Sequence, residues 1–196
     1  IRDFDATRSV DLMTAEKTGL AYRPPAQRVA FAFRHLLSQI QIIGRIDPAL
    51  AASGVSATIR SVKLYGMPGT GECAVQPEGN GTWSLGEATD ADNPFARDPV
   101  SRELTPAGIS VFADDLLLFP QQVGDGFVLE IEYEYAGTGT SGTFAKSISL
   151  AGAGIGTWEA GCSYRYTFTV GNEYILFEKP EVIPWSSASG GNITVE

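Results

Sequence analysis

Few side chains in this 196-residue chain are of the types that carry out reactions, and their spacing assembles no reaction centre. The single histidine, His35, ends an apolar run and has no second histidine and no reactive serine or cysteine near it. A nucleophile–base–acid triad cannot be built from it, so it reads as a hydrogen-bonded structural residue. The two cysteines, Cys73 and Cys162, permit one disulfide without requiring it; the alternative is two small buried hydrophobes. One histidine and two distant cysteines do not supply the three or four ligands a zinc ion needs. Glu130, Glu132 and Glu134 alternate along one segment as a solvated row, and Asp114 and Asp115 stand at a turn, so neither group reads as the paired acids of glycoside hydrolysis. The DADN stretch at 90–93 offers oxygens that calcium favours but lacks the glycine and closing glutamate of a calcium loop, and reads as a plain acidic loop. GAGIG at 152–156 has no lysine and no helical pattern after it, so it is a turn before Trp158 rather than a phosphate cradle. What remains is aromatic. Trp83 and Trp158, with the 88–100 loop, are candidate glycan contacts, although each tryptophan, like Trp185, sits at a strand end where indoles commonly plug the edge of a sandwich. The expectation is a non-enzymatic chain with no metal and no cofactor.

The elements that hold these residues are strands. FVLEIEYEY at 127–135 puts Phe127, Leu129, Ile131, Tyr133 and Tyr135 on one face and the three glutamates on the other, the pattern of a strand with one wet side. TFAKSISL at 143–150 returns as its hairpin partner, with Lys146 expected across from the glutamate row. CSYRYTFTV at 162–170 sends Cys162, Tyr164, Tyr166, Phe168 and Val170 one way, and YILFE completes a second hairpin. Val29, Phe31 and Phe33 share a face in RVAFAF. A turn then leads into a strand at about 39–46, and DPALAASG can form one helical turn. SATIRSVKLYG alternates as a strand, but its period slips between Ile59 and Val62, as at a bulge. Weaker strands fit ECAVQ, GTWSLG, ELTPAGISVF and LLLFP, and EVIPW and GNITVE give two short terminal strands with a Ser/Gly-rich link. Strands at this spacing with two-sided alternation indicate an all-β, Greek-key β-sandwich. Residues 1–27 read as an irregular lead-in, or the remnant of an upstream domain, and 28–196 as one domain.

Composition narrows the class further. Hydrophobic residues make up 43% of the chain, enough for a core, while charged residues are only 19% and glycines number 22. The net charge of −9 repels phosphate backbones and argues against nucleic-acid binding. No stretch approaches the roughly 18 consecutive apolar residues of a membrane helix, and no signal peptide is seen.

Several strings also occur in an order that resembles one family. DLMTA at 11–15 is followed by VAFAFRHLLSQIQI at 29–42, GTWSL at 81–85, LLLFPQQ at 116–122, WEAGCSYRYTFTV at 158–170 and VIPW at 182–185. Together they resemble the C-terminal domain of the fimbrillin-like proteins of Bacteroides-type bacteria, subunits of type V pili. The resemblance spans about residues 11–196. It implies a transthyretin-like sandwich, usually preceded by a second sandwich, and a lipoprotein precursor carried to the outer membrane. It also implies assembly with other fimbrial subunits, as a homo- or hetero-polymer, after a protease removes an N-terminal strand behind an arginine. A strand of a neighbouring subunit then fills the groove, which is strand addition to an exposed edge. On that expectation Arg2 and Arg8 are candidate cleavage sites. Ile193, Thr194 and Val195 in GNITVE form a candidate donor or terminal edge strand, the alternative being that they complete their own sheet. The chain departs from the pattern in having few residues before DLMTA and no lipidated cysteine, which points to a removed upstream domain or a short variant. The expected location is the cell surface, associated with the outer membrane. The other reading is a surface adhesin that binds glycans or proteins of the host or of bacterial surfaces without polymerising.

Overall fold

Alternating sequence becomes two facing sheets. The computed structural model describes residues 1–17, 31–76, 81–98, 101–137, 140–172 and 174–185. The strands used below are β1 (Ser38–Ile46), β2 (Ser56–Tyr65), β3 (Thr70–Val75), β4 (Gly81–Leu85), β5 (Val128–Gly137), β6 (Thr140–Ser149), β7 (Cys162–Val170), β8 (Ile175–Phe177) and β9 (Glu181–Pro184).

In the first sheet β1 and β7 run parallel, from Gln39 opposite Ser163 to Ile46 opposite Val170. Short segments Ile109–Ser110 and Leu116–Leu118 flank β1, while β8 and β9 flank β7, all antiparallel. The second sheet runs β6–β5–β2, and Ala96–Asp98 and Arg102–Glu103 close its far side. The inward rows are Ile40, Ile42 and Ile46 of β1, Tyr164, Tyr166, Phe168 and Val170 of β7, Ala57, Ile59, Val62 and Leu64 of β2, and Leu129, Ile131, Tyr133 and Tyr135 of β5. They form one buried core. Side chains such as Leu129 and Ile131, both fully buried, each contribute roughly 1.5–3 kcal/mol. Gly44 completes β1's inward row because a β-carbon there would lie 2.8 Å from Leu104 and Phe168. The connection from β1 to β2 passes from the first sheet to the second, and that from β6 to β7 passes back.

Local signals are realised with clear causes. Asp47 caps the short helix Pro48–Ala52, its carboxylate accepting from the amides of Ala49 and Leu50, with proline in the first turn where its missing N–H costs nothing. The slip in β2 is a bulge. Ile59 faces Tyr133 and Ser61 faces Glu132, leaving Arg60 without a ladder partner. The extra residue turns Arg60 outward beside the glutamate row, where it pairs with Glu134, and Lys63 on the same strand reaches Glu130 at 3.1 Å.

Two expectations are corrected. Lys146 does not face the glutamates. It sits opposite Ile131, so it is on the core-facing side of the outermost strand β6, exposed past the lip of the sandwich. Arg60 and Lys63 neutralise the row instead. Phe31 and Phe33, expected to share a strand face, lie outside any strand and are 51% and 53% exposed; Val29 lies outside the described residues.

Candidate functional site

A third, smaller sheet carries the first candidate surface. β3 and β4 form a hairpin, and Phe4–Asp5 adds to its free edge with Phe4 opposite Gly71 and Asp5 opposite Thr70. Backbone bonds extend the docking: Cys73 N–H donates to Ile1 O and Ala6 N–H to Gly69 O, both at 2.9 Å. Phe4 packs on Trp83 and Phe119 at ring separations of 5.7 and 6.2 Å, and Ala6 is fully buried. Asp5 then caps a single turn, Ala6–Arg8. It accepts from the Thr7 amide and hydroxyl, and the Thr7 hydroxyl above all, with the Arg8 charge assisting, holds the Asp5 carboxyl below its ordinary value. Non-glycine left-handed residues bracket the segment, Asp3 at φ 50° and Ser9 at φ 51°. The Arg8 side chain is 78% exposed, so the peptide bond after it lies on the surface just beyond the last docked residue.

The second candidate surface joins three distant segments. Met13–Thr14 pairs with Arg34–His35, and Leu36 N–H donates to Leu12 O at 2.8 Å. His35 Nδ1 lies 3.0 Å from the Asp11 carboxylate, and its ring stacks on Trp185 at 3.8 Å with 12° between planes. His35 Nε2 is buried without a hydrogen-bond partner. A cleft of about 460 Å³ opens beside the stack, lined by residues that include Phe33, Arg34 and Gly161. Trp185 N–H donates to Gly161 O at 2.8 Å. His35 is thus a hydrogen-bonded structural residue, but its partners lie 24 and 150 positions away in sequence.

The residues singled out from sequence fall as follows. Trp158 is fully buried and donates its indole N–H to Tyr166 Oη at 2.9 Å, so it has no face to offer a sugar. Burial pushes the Tyr166 phenol up to about 12, against the opposing effect of that Trp158 bond. Trp83 is half-buried between Phe4 and Phe119, with its N–H bonded to Leu36 O. Of the two readings left open for the cysteines, the structure has free thiols, with Cys73 buried and Cys162 partly buried. Burial raises the Cys73 thiol, and its sulfur sits against Gly81, where a β-carbon would approach to 2.6 Å. In the 90–93 loop the Asp90 carboxylate caps the amides of Asp92 and Asn93, and Arg97 takes the carbonyls of Ala91 and Asp92. The loop is therefore closed by its own hydrogen bonds, and among the described residues no cluster of three or more His, Cys, Asp or Glu could hold a metal. Asp115 accepts from the amides of Gln39 and Gln41, a surface brace on β1. Arg2 precedes the docked strand, whereas Arg8 follows it. Ile193, Thr194 and Val195 lie outside the described residues.

These features define an all-β sandwich whose distinctive surfaces are sheet edges. The family assignment agrees: the fimbrillin-like family model matches residues 5–185, and the chain belongs to that family. Among solved structures it is similar to a fimbrial protein from Bacteroides vulgatus, at 19% identity and a TM-score of 0.53, covering 80% of this chain and 56% of that one. It is also similar to a protein from Parabacteroides distasonis assigned to cell adhesion, at 12% identity and a TM-score of 0.50, covering 81% and 55%. At these identities the likeness is one of fold, and the chain spans a little over half the length of either structure. No curated protein matches the sequence. No helix among the described residues is long and apolar enough to cross a membrane.

Proposed function

We propose that this chain is a structural subunit of a bacterial cell-surface fimbria, assembled by strand exchange after proteolytic trimming. Family membership supports the setting. The observation that carries the mechanism is the Phe4–Asp5 strand, an edge addition that half-buries Phe4, buries Ala6 and ends at an exposed arginine. Cleavage after Arg8 would release the whole docked segment. It would bare the edge of β3, with its unpaired amides and carbonyls, and the aromatic seat formed by Trp83 and Phe119. Cleavage after Arg2 would leave that strand in place, so Arg8 is the favoured site. An incoming strand with alternating apolar residues would restore both the backbone ladder and the aromatic contact. The tail 191–196, with Ile193 and Val195 alternating around Thr194, is the donor we favour, delivered by another copy or by a different fimbrial subunit. On this reading the protein works at the cell surface, in association with the outer membrane after a lipoprotein stage. The adhesin reading is weaker, because Trp158 is buried and Trp83 is half-buried, with Phe4 and Phe119 packed on its ring.

The experiment is brief digestion with a trypsin-like protease, mass mapping of the cut, and electron microscopy of the product. The expected result is a cut after Arg8 followed by filaments, with Arg8→Ala giving neither. A clean cut after Arg8 that leaves only monomers would overturn the assembly role.

A further inference from the structure

The Glu181–Pro184 strand is weakly held by its own residues. All four are exposed, Val182 at 54% and Ile183 at 42%, and among the described residues the strand has one neighbour, β7. Its ion pair, Glu181 to Arg165 at 3.2 Å, is solvent-exposed and so contributes little. The next residue, Trp185, is different: it packs against the core, and its ring lies flat on His35. Beyond its ladder to β7, the strand is therefore fastened by side-chain burial at one point, Trp185.

That point is set by the lead-in. The His35 ring is held on one edge by Asp11 and on one face by the indole. Its Nε2 adds no hydrogen bond, and His35 and Trp185 both line the neighbouring cleft. Without Asp11 the ring loses the bond that fixes its plane, and an indole stacks well only on a ring held parallel to it.

We infer that residues 11–14 set how tightly the Glu181–Pro184 strand is held, with Asp11 and His35 as positioning residues and Trp185 as the fastener. The lead-in and the last described strand are then coupled through one stacked pair of rings. The coupling bears on fimbrial assembly only through the reading above, but it is a property of the single chain and is tested there.

Hydrogen exchange read by mass spectrometry on the whole chain provides the test, with β5 as the control that each variant is folded. Trp185→Ala should speed exchange of the amides at 182, 183 and 185 by about tenfold, the loss of a stacked aromatic contact. Asp11→Ala should speed the same amides by roughly two- to fivefold, and His35→Phe, which keeps a ring but drops the Asp11 bond, should abolish the effect of Asp11→Ala. Three results would overturn the inference: unchanged exchange in Trp185→Ala, unchanged exchange in Asp11→Ala, or an Asp11→Ala effect that persists in the His35→Phe background. Because the readout is on monomers, it succeeds or fails separately from the microscopy.

Discussion

β5 lies between β2 and β6 and sends Leu129, Ile131, Tyr133 and Tyr135 into the core, whereas β9 has one neighbour among the described residues and leaves all four of its residues in water. β5 is paired along both edges and β9 along one, and side-chain burial widens that difference. β5 is held along its length, and β9 is held by the residue after its end. Phe4–Asp5 falls between the two, with a short ladder and one aromatic seat. A sandwich built this way can lose a rim strand locally while its centre stays folded.

The comparison can be broken most severely at the centre. Trp158→Ala should destabilise the whole domain by about 3–5 kcal/mol, because it leaves a large cavity and strips Tyr166 of its partner. A denaturant midpoint unmoved by this change would mean that the interior does not carry the fold. Alkaline pH probes the same place. Tyr166 titrates at about 12 in the folded chain against an ordinary 10.0. A raised folded value means that its contribution is whole below about pH 10 and is lost as pH rises through 12, by roughly 2–3 kcal/mol. Tyr166→Phe should flatten that part of a stability-against-pH curve, and a curve unchanged by the substitution would move the effect elsewhere. At the rim, Phe4→Ala should cost about 1–2 kcal/mol and show mainly as faster exchange of the Thr70–Val75 amides, with β5 unaffected. Uniformly faster exchange across the domain would erase the distinction between rim and centre. The smallest effect belongs to the wet face. Arg60→Ala should change stability by no more than about 1 kcal/mol, and added salt should mask the difference. A larger, salt-independent loss would show that the bulge itself, rather than the ion pair, depends on arginine.

Period and punctuation were legible in the sequence. The inward rows of β5 and β7, the Asp47-capped turn and the bulge in β2 all follow from local pattern and are found where the pattern puts them. Features set by register or by distance were not legible. Lys146 was placed on the wrong face because a hairpin's register depends on its loop, and a shift of one residue exchanges the two faces. The lead-in looked irregular, yet Phe4–Asp5 docks on β3, because two residues are too few to show alternation and their seat is formed by Trp83 and Phe119. The Asp11–His35–Trp185 contact has no local signature. Its nearest hints were a lone histidine at the end of an apolar run and a tryptophan closing EVIPW.

The parallel pairing of β1 with β7 also has a consequence in time. Gln41 and Arg165, neighbours in that pair, are 124 positions apart, so the centre of the first sheet cannot close until most of the chain is available to it. Loop closure of that span precedes any gain from the contact, and such topologies fold slowly. Through that interval β1 would wait with Ile40, Ile42 and Ile46 uncovered, and a strand waiting in that state is open to pairing with the wrong chain. A protein of this design gains from a holding factor while it folds, and its yield on refolding should fall as its concentration rises.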